Sequence, residues 1–267
     1  MKTSKSPKLK FIDLSIPIES VPSDPEFMIP QLEYIDHRAG LASAQELLGC
    51  RPEDLPLGLG WAVERVTLST HSGTHLDAPW HYAPVSQGKK AKTIDEIPLD
   101  WCYGNGVCLD FRKKKDGEEI TIEDLEKTLK KIGYKIKPKD IVLIMTGADK
   151  FWGKPEYLIK GAGMGRESTL WLLNQGVKVV GIDAWSWDRP LPFLKKEFQE
   201  KGDATILWAA HFAGIKKEYL HMEKMANLQK LPPYGFTLVC FPVKVKAASA
   251  GWIRPVAIIE RHSRNQK

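Results

Sequence analysis

Short apolar runs alternate along the chain with polar, turn-rich stretches, and most of the runs can be matched to an element. LKFIDLSIP, residues 9–17, reads as a strand stopped by proline. Residues 19–60 are rich in Pro and Gly around a short helix over 42–48, with Ser43 as its candidate cap. From Trp61, the stretch WAVERVTLSTHSGTHLDAP shows β-branched residues and alternation until Pro79, which predicts an extended conformation. GVCLDF (106–111) and DIVLIMTG (140–147) are further strands. Between them, 121–132 is an amphipathic helix, with Asp124 three residues after Thr121 in a capping arrangement. A helix over 168–175 closes at Gly176, where a left-handed cap is expected, and VKVVGID (177–183) is the next buried strand. Asp203 is placed as the cap of a helix running through Trp208 to Phe212 and ending at Gly214. GFTLVCFPVKV and RPVAIIE supply the last strands. Strands and helices mix without strict alternation, repeat or linker. This predicts one α/β domain over 1–267 with a mixed sheet, and loose tails at 1–8 and 262–267.

Composition narrows the setting. A chain of 267 residues can bury a large core, and no apolar run approaches the roughly 18 residues that span a bilayer. The start, MKTSKSPKLK, has charge but no apolar stretch, which argues against a secretory signal peptide. Four cysteines without a CxxC pair fit free thiols in a cytoplasmic protein. The net charge of +6 is spread out, and the densest run, Lys113 to Lys115, is followed at once by Asp116, Glu118 and Glu119. Such mixed-sign runs are solvated surface, and no zinc-finger, aromatic-basic or basic-heptad pattern accompanies them. A small molecule is therefore the expected partner, with neither nucleic acid nor membrane.

Candidate chemistry concentrates in HSGTHLDAPWH, residues 71–81, which holds three of the seven histidines. In an extended segment His71, Gly73, His75 and Asp77 share one face, because strand side chains alternate. Two imidazoles and a carboxylate then converge across the gap left by Gly73, a donor set suited to zinc, manganese or iron. Ser72 and Gly73 exclude a helical zincin motif. Pro79 breaks the row, so His81 can turn back beside the metal as a proton carrier.

The same string resembles the HxGTHxDxPxH motif of the metal-dependent hydrolases called the cyclase family, which includes kynurenine formamidases and isatin hydrolases. His71, Gly73, Thr74, His75, Asp77, Pro79 and His81 match its fixed positions. FIDLSIPIES, TIDEIPLDWCYGNGVCLDF, DIVLIMTG and VKVVGIDAWSWD follow in family order, so the resemblance spans roughly 9–260. It implies a barrel-like or mixed-sheet core with surrounding helices, of a swivelling β/β/α kind. It implies one or two divalent ions, Zn2+ or Mn2+, held by His71, His75 and Asp77, with His81 as general acid/base. A second ion implies a downstream His and a Glu twelve residues later, which His211 and Glu223 supply. The chain has EKMANL where the family has text closer to ENL, and His221 competes with Glu223. The expected activity is hydrolysis of an amide, formamide or lactam (arylformamidase-like) in a homodimer or larger assembly. Two rivals stand beside it: a metal-dependent lyase or ring-closing enzyme, and a non-catalytic metal-binding protein.

Trp80, Trp185 and Trp187 flank the motif or follow VKVVGID, where α/β sheets place ligands, and are candidate pocket walls; core packing is the bland alternative. Arg189 fits an ion pair better than substrate recognition. GAGMG (161–165) lacks nucleotide-loop spacing. His37 and His262 are expected at the surface.

Overall fold

The computed structural model describes residues 8–261. Its centre is a nine-stranded sheet. Four parallel strands form the middle: Tyr103–Asp110, Ile141–Met145, Val179–Ile182 and Leu220–Glu223. Beyond the first of these lie Tyr234–Val239, Val256–Arg261 and Lys8–Asp13, all antiparallel. Beyond the last lie His75–Asp77 and then Ala250–Trp252, also antiparallel.

Ile141–Met145 and Val179–Ile182 are apolar on both faces, as a covered parallel sheet requires. Val142 and Ile144 look toward one core, where Leu125 and Leu129 of helix Ile122–Ile132 and Leu172 and Leu173 of helix Arg166–Asn174 cover them. Ile141, Leu143 and Met145 look the other way, into a core shared with Leu76, Met222, Phe236 and Leu238, around which the sheet curls as an open half-barrel. The fold is thus mixed α/β, as the interleaved runs imply. Among the described residues, no helix is long and apolar enough to cross a membrane.

Several sequence expectations need correction. Residues 61–79 are not one extended stretch: Val63–Thr67 is a strand paired with Gln31–Ile35, 70–74 is a turn, and only His75–Asp77 joins the main sheet. The helix from Asp203 is two pieces. Asp203 caps the single turn Ala204–Ile206, Trp208 then adopts a left-handed φ of 54°, and a new helix runs over Ala209–Lys216. Ser43 lies inside helix Gly40–Leu48, whose start is instead tied by Asp36 Oδ1 accepting from the amides of Arg38 and Ala39. Helix Leu191–Lys201 has no counterpart in the sequence reading. Lys8 belongs to an edge strand; the remaining residues of the expected tails, and His262, lie outside the described residues.

The loop after Val179–Ile182 is pinned by Asp183, whose carboxylate accepts from the Thr146 amide and hydroxyl and from the Gly147 amide. Burial pushes this carboxyl up to about 7 in spite of those donors. A raised carboxyl binds its proton more tightly in the folded state. That stability is full below about pH 4 and is lost as pH rises through about 7. Urea unfolding is expected to lose on the order of 2–4 kcal/mol across this window. Asp183→Asn should replace the slope by a pH-independent cost; identical slopes in the two proteins would refute the assignment.

Candidate metal centre

The site forms where the motif turn meets the carboxyl ends of the parallel strands. Gly73 takes a left-handed φ of 63°, a conformation that costs other residues more, and this turns His71 back toward Asp77. Thr74 anchors the turn: its hydroxyl accepts from the Ile16 amide at 2.9 Å and donates to the Lys224 carbonyl at 2.6 Å. Pro79 opens a one-turn helix, Pro79–Tyr82, that carries His81 back beneath Asp77. Across the sheet, His221 sits opposite Asp77 and Glu223 opposite His75 in the antiparallel register. Opposite residues share a face, so all four side chains meet. His211 arrives from helix Ala209–Lys216, which packs so closely at Gly214 that a Cβ there would lie 2.2 Å from the Tyr82 ring.

Asp77, fully buried, is the hub. Its Oδ1 lies 2.9 Å from His71 Nδ1 and 3.2 Å from His75 Nε2; its Oδ2 lies 2.8 Å from His221 Nε2 and 3.7 Å from His81 Nε2. Glu223 Oε1 is 3.1 Å from His221 Nε2 and 3.6 Å from His211 Nε2. Four of the five rings have their other nitrogen held from outside. His75 Nδ1 donates to the Gly73 carbonyl (2.9 Å), and His211 Nδ1 to Asp188 Oδ2 (2.5 Å). His71 Nε2 meets the Ser249 hydroxyl at 3.0 Å, and His221 Nδ1 the Tyr219 hydroxyl at 3.4 Å. Such partners fix ring orientation and, in the neutral ring, turn the lone pair inward. His81 has no comparable partner among the described residues and is half-buried.

Charge follows the same plan. Burial pushes Asp77 upward, but His81, His71, His75 and His221 hold it well below the usual carboxylate range. Glu223 is likewise pushed up by burial and brought down to about 2, chiefly by His221. Burial pulls His221 down, yet Asp77 and Glu223 lift it to about 9. His81 goes the other way: burial, joined by the neighbouring imidazoles and opposed by Asp77, lowers it to about 3. Near neutral pH His81 is therefore uncharged, 3.7 Å from Asp77 Oδ2.

Whether these residues suit a metal is answered by their unsatisfied atoms. His75 Nε2, His221 Nε2 and both oxygens of Asp77 are buried without an aligned hydrogen bond among the described residues, close as they lie to one another. Each stranded atom costs about 1–3 kcal/mol. A divalent first-row cation would satisfy all four, and the nitrogen and carboxylate donors match its preference. Donor atoms of Asp77, His211, His221 and Glu223 lie within 4.8 Å of one another, as do those of His71, Asp77 and His81.

Above this floor opens a cavity of about 340 Å³ walled by Met28, Trp185, Leu191 and Trp208. Trp208 stacks on the His211 ring with centroids 4.3 Å apart. Of the tryptophans flagged in the sequence, only Trp185 reaches the cavity. Trp80 is surface-exposed, and Trp187 is fully buried, its amide donating to Glu223 Oε1 at 2.7 Å. Arg189 pairs with Glu197 at 2.5 Å, and His37 is exposed. Asp188, Ser249, Trp208 and Lys224 were not singled out by sequence. Asp188 lies in the quoted VKVVGIDAWSWD and Lys224 in EKMANL, but neither stretch marks them as site residues, and Trp208 reads only as part of a helix.

A sequence profile described as "Putative cyclase" matches residues 12–189, spanning the motif and the Asp188 loop. The chain belongs to the cyclase family. Within it, the chain is 31% identical over 204 residues to the kynurenine formamidase of Erythrobacter litoralis, covering 76% of this chain and 78% of that protein. Identity to the kynurenine formamidase of Salinibacter ruber is 28% over 195 residues, covering 71% and 76%. Among solved structures, isatin hydrolase A from Ralstonia solanacearum superposes with a TM-score of 0.74 at 20% identity, over 94% of this chain and 92% of that one. An isatin hydrolase bound to the product analogue thioisatinate gives 0.73 at 19%, over 95% and 93%. At these identities the structural likeness establishes that this cyclase-family chain has their fold.

Proposed function

We propose that the protein is a metal-dependent amidohydrolase that cleaves the C–N bond of an amide, formamide or lactam. One observation carries the reading: five imidazoles and two ionised carboxylates, with stranded inward-facing atoms, converge on the floor of an apolar cavity. The formamidase relatives support the same bond type. His71, His75 and Asp77 would hold one divalent ion, zinc or manganese; Asp77, His211, His221 and Glu223 would hold a second. When bound, the metal supplies Lewis-acid polarisation of the carbonyl and an acidified water. His81, on the cavity wall with Nε2 3.7 Å from Asp77 Oδ2 and no outward partner among the described residues, takes the proton of the attacking water and returns it to the leaving nitrogen. Met28, Trp185 and Trp208 shield the reacting amide from bulk water and offer flat apolar surface to it.

The test is elemental analysis followed by a panel of N-formyl aryl amines and cyclic amides with product mass measured. A product heavier by one water supports hydrolysis. A product without it marks a lyase or cyclising enzyme, and tight metal with no turnover on any substrate marks a binding protein.

Two features bear on the setting. The ribbon Gln31–Ile35/Val63–Thr67 and its surroundings present Phe27, Tyr34, Leu57, Val63 and Val66, with Phe27 86% and Leu57 92% exposed. A two-stranded ribbon is marginal alone, and these exposed apolar side chains, on both of its faces, favour burial against a second copy; the reading is a homodimer or larger homo-oligomer. Sedimentation is expected to show at least a dimer, and Leu57→Asp with Val66→Asp to shift it toward monomer; a wild-type monomer at micromolar concentration would exclude this. The four free thiols fit a cytoplasmic location.

A further inference from the structure

The residue after Glu223 is the least expected side chain around the site. Lys224 has a left-handed φ of 55°, where a lysine is disfavoured, and it is 1% exposed. Its backbone is fixed at both ends, the amide donating to the Ala184 carbonyl at 3.0 Å and the carbonyl accepting from Thr74. A buried, unpaired ammonium would be strongly disfavoured, and this one is paired: Nζ donates to Asp24 Oδ1, itself buried. A second Nζ proton goes to the main-chain carbonyl of His71 at 3.0 Å. The ammonium also sits 5.3 Å from the centre of the Trp185 ring, whose indole N–H donates to the same Asp24 oxygen at 2.6 Å.

Three parts of the site therefore meet at one ion pair: the motif turn, the cavity wall and the segment around Asp24. That segment crosses the cavity rim. Trp152 Nε1 donates to Glu19 Oε1 at 2.7 Å, the Gly153 amide donates to Ser23 Oγ at 2.6 Å, and Ser72 Oγ donates to the carbonyl of Met28 at 3.0 Å. Without Lys224, the contacts that remain hold the segment near residues 19–23, at Asp24 through Trp185 and at Met28, but among the described residues nothing ties Asp24 to the His71 carbonyl.

We propose that Lys224 and Asp24 form the positioning pair of this site, setting the placement of His71 against Asp77 and clamping residues 19–28, with Trp185, as the cavity wall. The kinetic part of this rests on the hydrolase reading above; the metal and backbone parts do not. Lys224 touches none of the reacting atoms and acts through His71 and the wall.

The experiment compares wild type, Lys224→Met and the charge-balanced double variant Asp24→Asn/Lys224→Met. Read-outs are thermal stability, Mn2+ affinity by titration and amide exchange of residues 19–30, with KM and kcat on whichever amide is turned over. Lys224→Met leaves Asp24 buried and unpaired and is expected to lower thermal stability. The double variant should recover that stability, yet bind Mn2+ at least tenfold more weakly, exchange at least tenfold faster over 19–30, and raise KM by more than it lowers kcat. If the double variant recovers stability, Mn2+ affinity and exchange protection together, the pair is packing alone and the proposal is overturned. Affinity and exchange are read on the protein whether or not it hydrolyses an amide. Absence of turnover in wild type would thus remove the proposed function and leave this test standing.

Discussion

Asp77→Asn is expected to abolish tight metal uptake and, with it, turnover. The substitution keeps the shape of the side chain and removes the only charge that reaches His71, His75, His81 and His221 at once. It also replaces one lone-pair oxygen by an NH2 group aimed at ring nitrogens, so geometry as well as charge is lost. A fall in affinity of about a thousand-fold, or ~4 kcal/mol, is the scale expected for Zn2+ or Mn2+ titrated into the metal-free protein. The fold should survive, because Leu76, between His75 and Asp77, packs on the opposite face of the sheet and is untouched. Wild-type affinity in a folded Asp77→Asn protein would show that the ions are held elsewhere.

His81→Ala is expected to separate proton transfer from metal binding. Among the described residues His81 is the one imidazole of the cluster without an outward anchor, and its ring is neutral near pH 7 because burial lowers it to about 3. Removing such a base should lower kcat by about 10²–10⁴-fold while metal content stays at the wild-type ratio. The contrary outcome is specific: its donor atom groups with those of His71 and Asp77 within 4.8 Å, so loss of one metal equivalent in His81→Ala would make it a ligand. Metal analysis and single-turnover kinetics on the same preparation decide between the two.

The segment 71–81 was legible because its spacing carries its chemistry. His75 and Asp77 do share a strand face, and Pro79 does send His81 back toward them. His71 reaches Asp77 by a different route from the one alternation suggests, through the left-handed turn at Gly73, since a row of alternating residues and a tight turn leave the same pattern of letters. His221 and Glu223 were identified as competitors because both lie on one face of an extended segment; the pairing of His221 with Asp77 and Glu223 with His75 brings both in. Helix Leu191–Lys201 escaped because it buries only Leu194, so it has no apolar stripe to read. The break at Trp208 escaped because a left-handed tryptophan has no local signal; its ring stacks on His211, a contact only the folded chain makes visible. Asp24 and Lys224 are far apart in sequence, and only the folded chain joins them.

The strand that bears His75 and Asp77 is three residues long and lies between Leu220–Glu223 and Ala250–Trp252. Slipping it by a single position would swing both side chains into the apolar core and drop Leu76 among the histidines. Backbone hydrogen bonds resist such a slip only weakly, because they can re-form one step along. What penalises it is Leu76 itself, wholly enclosed with Met222, Phe236 and Leu238 on the far side. The chemistry on one face of this sheet is therefore indexed by an oily contact on the other. Substitutions at Leu76 or Met222, positions with no donor atom to offer a metal, belong among those that can silence the site.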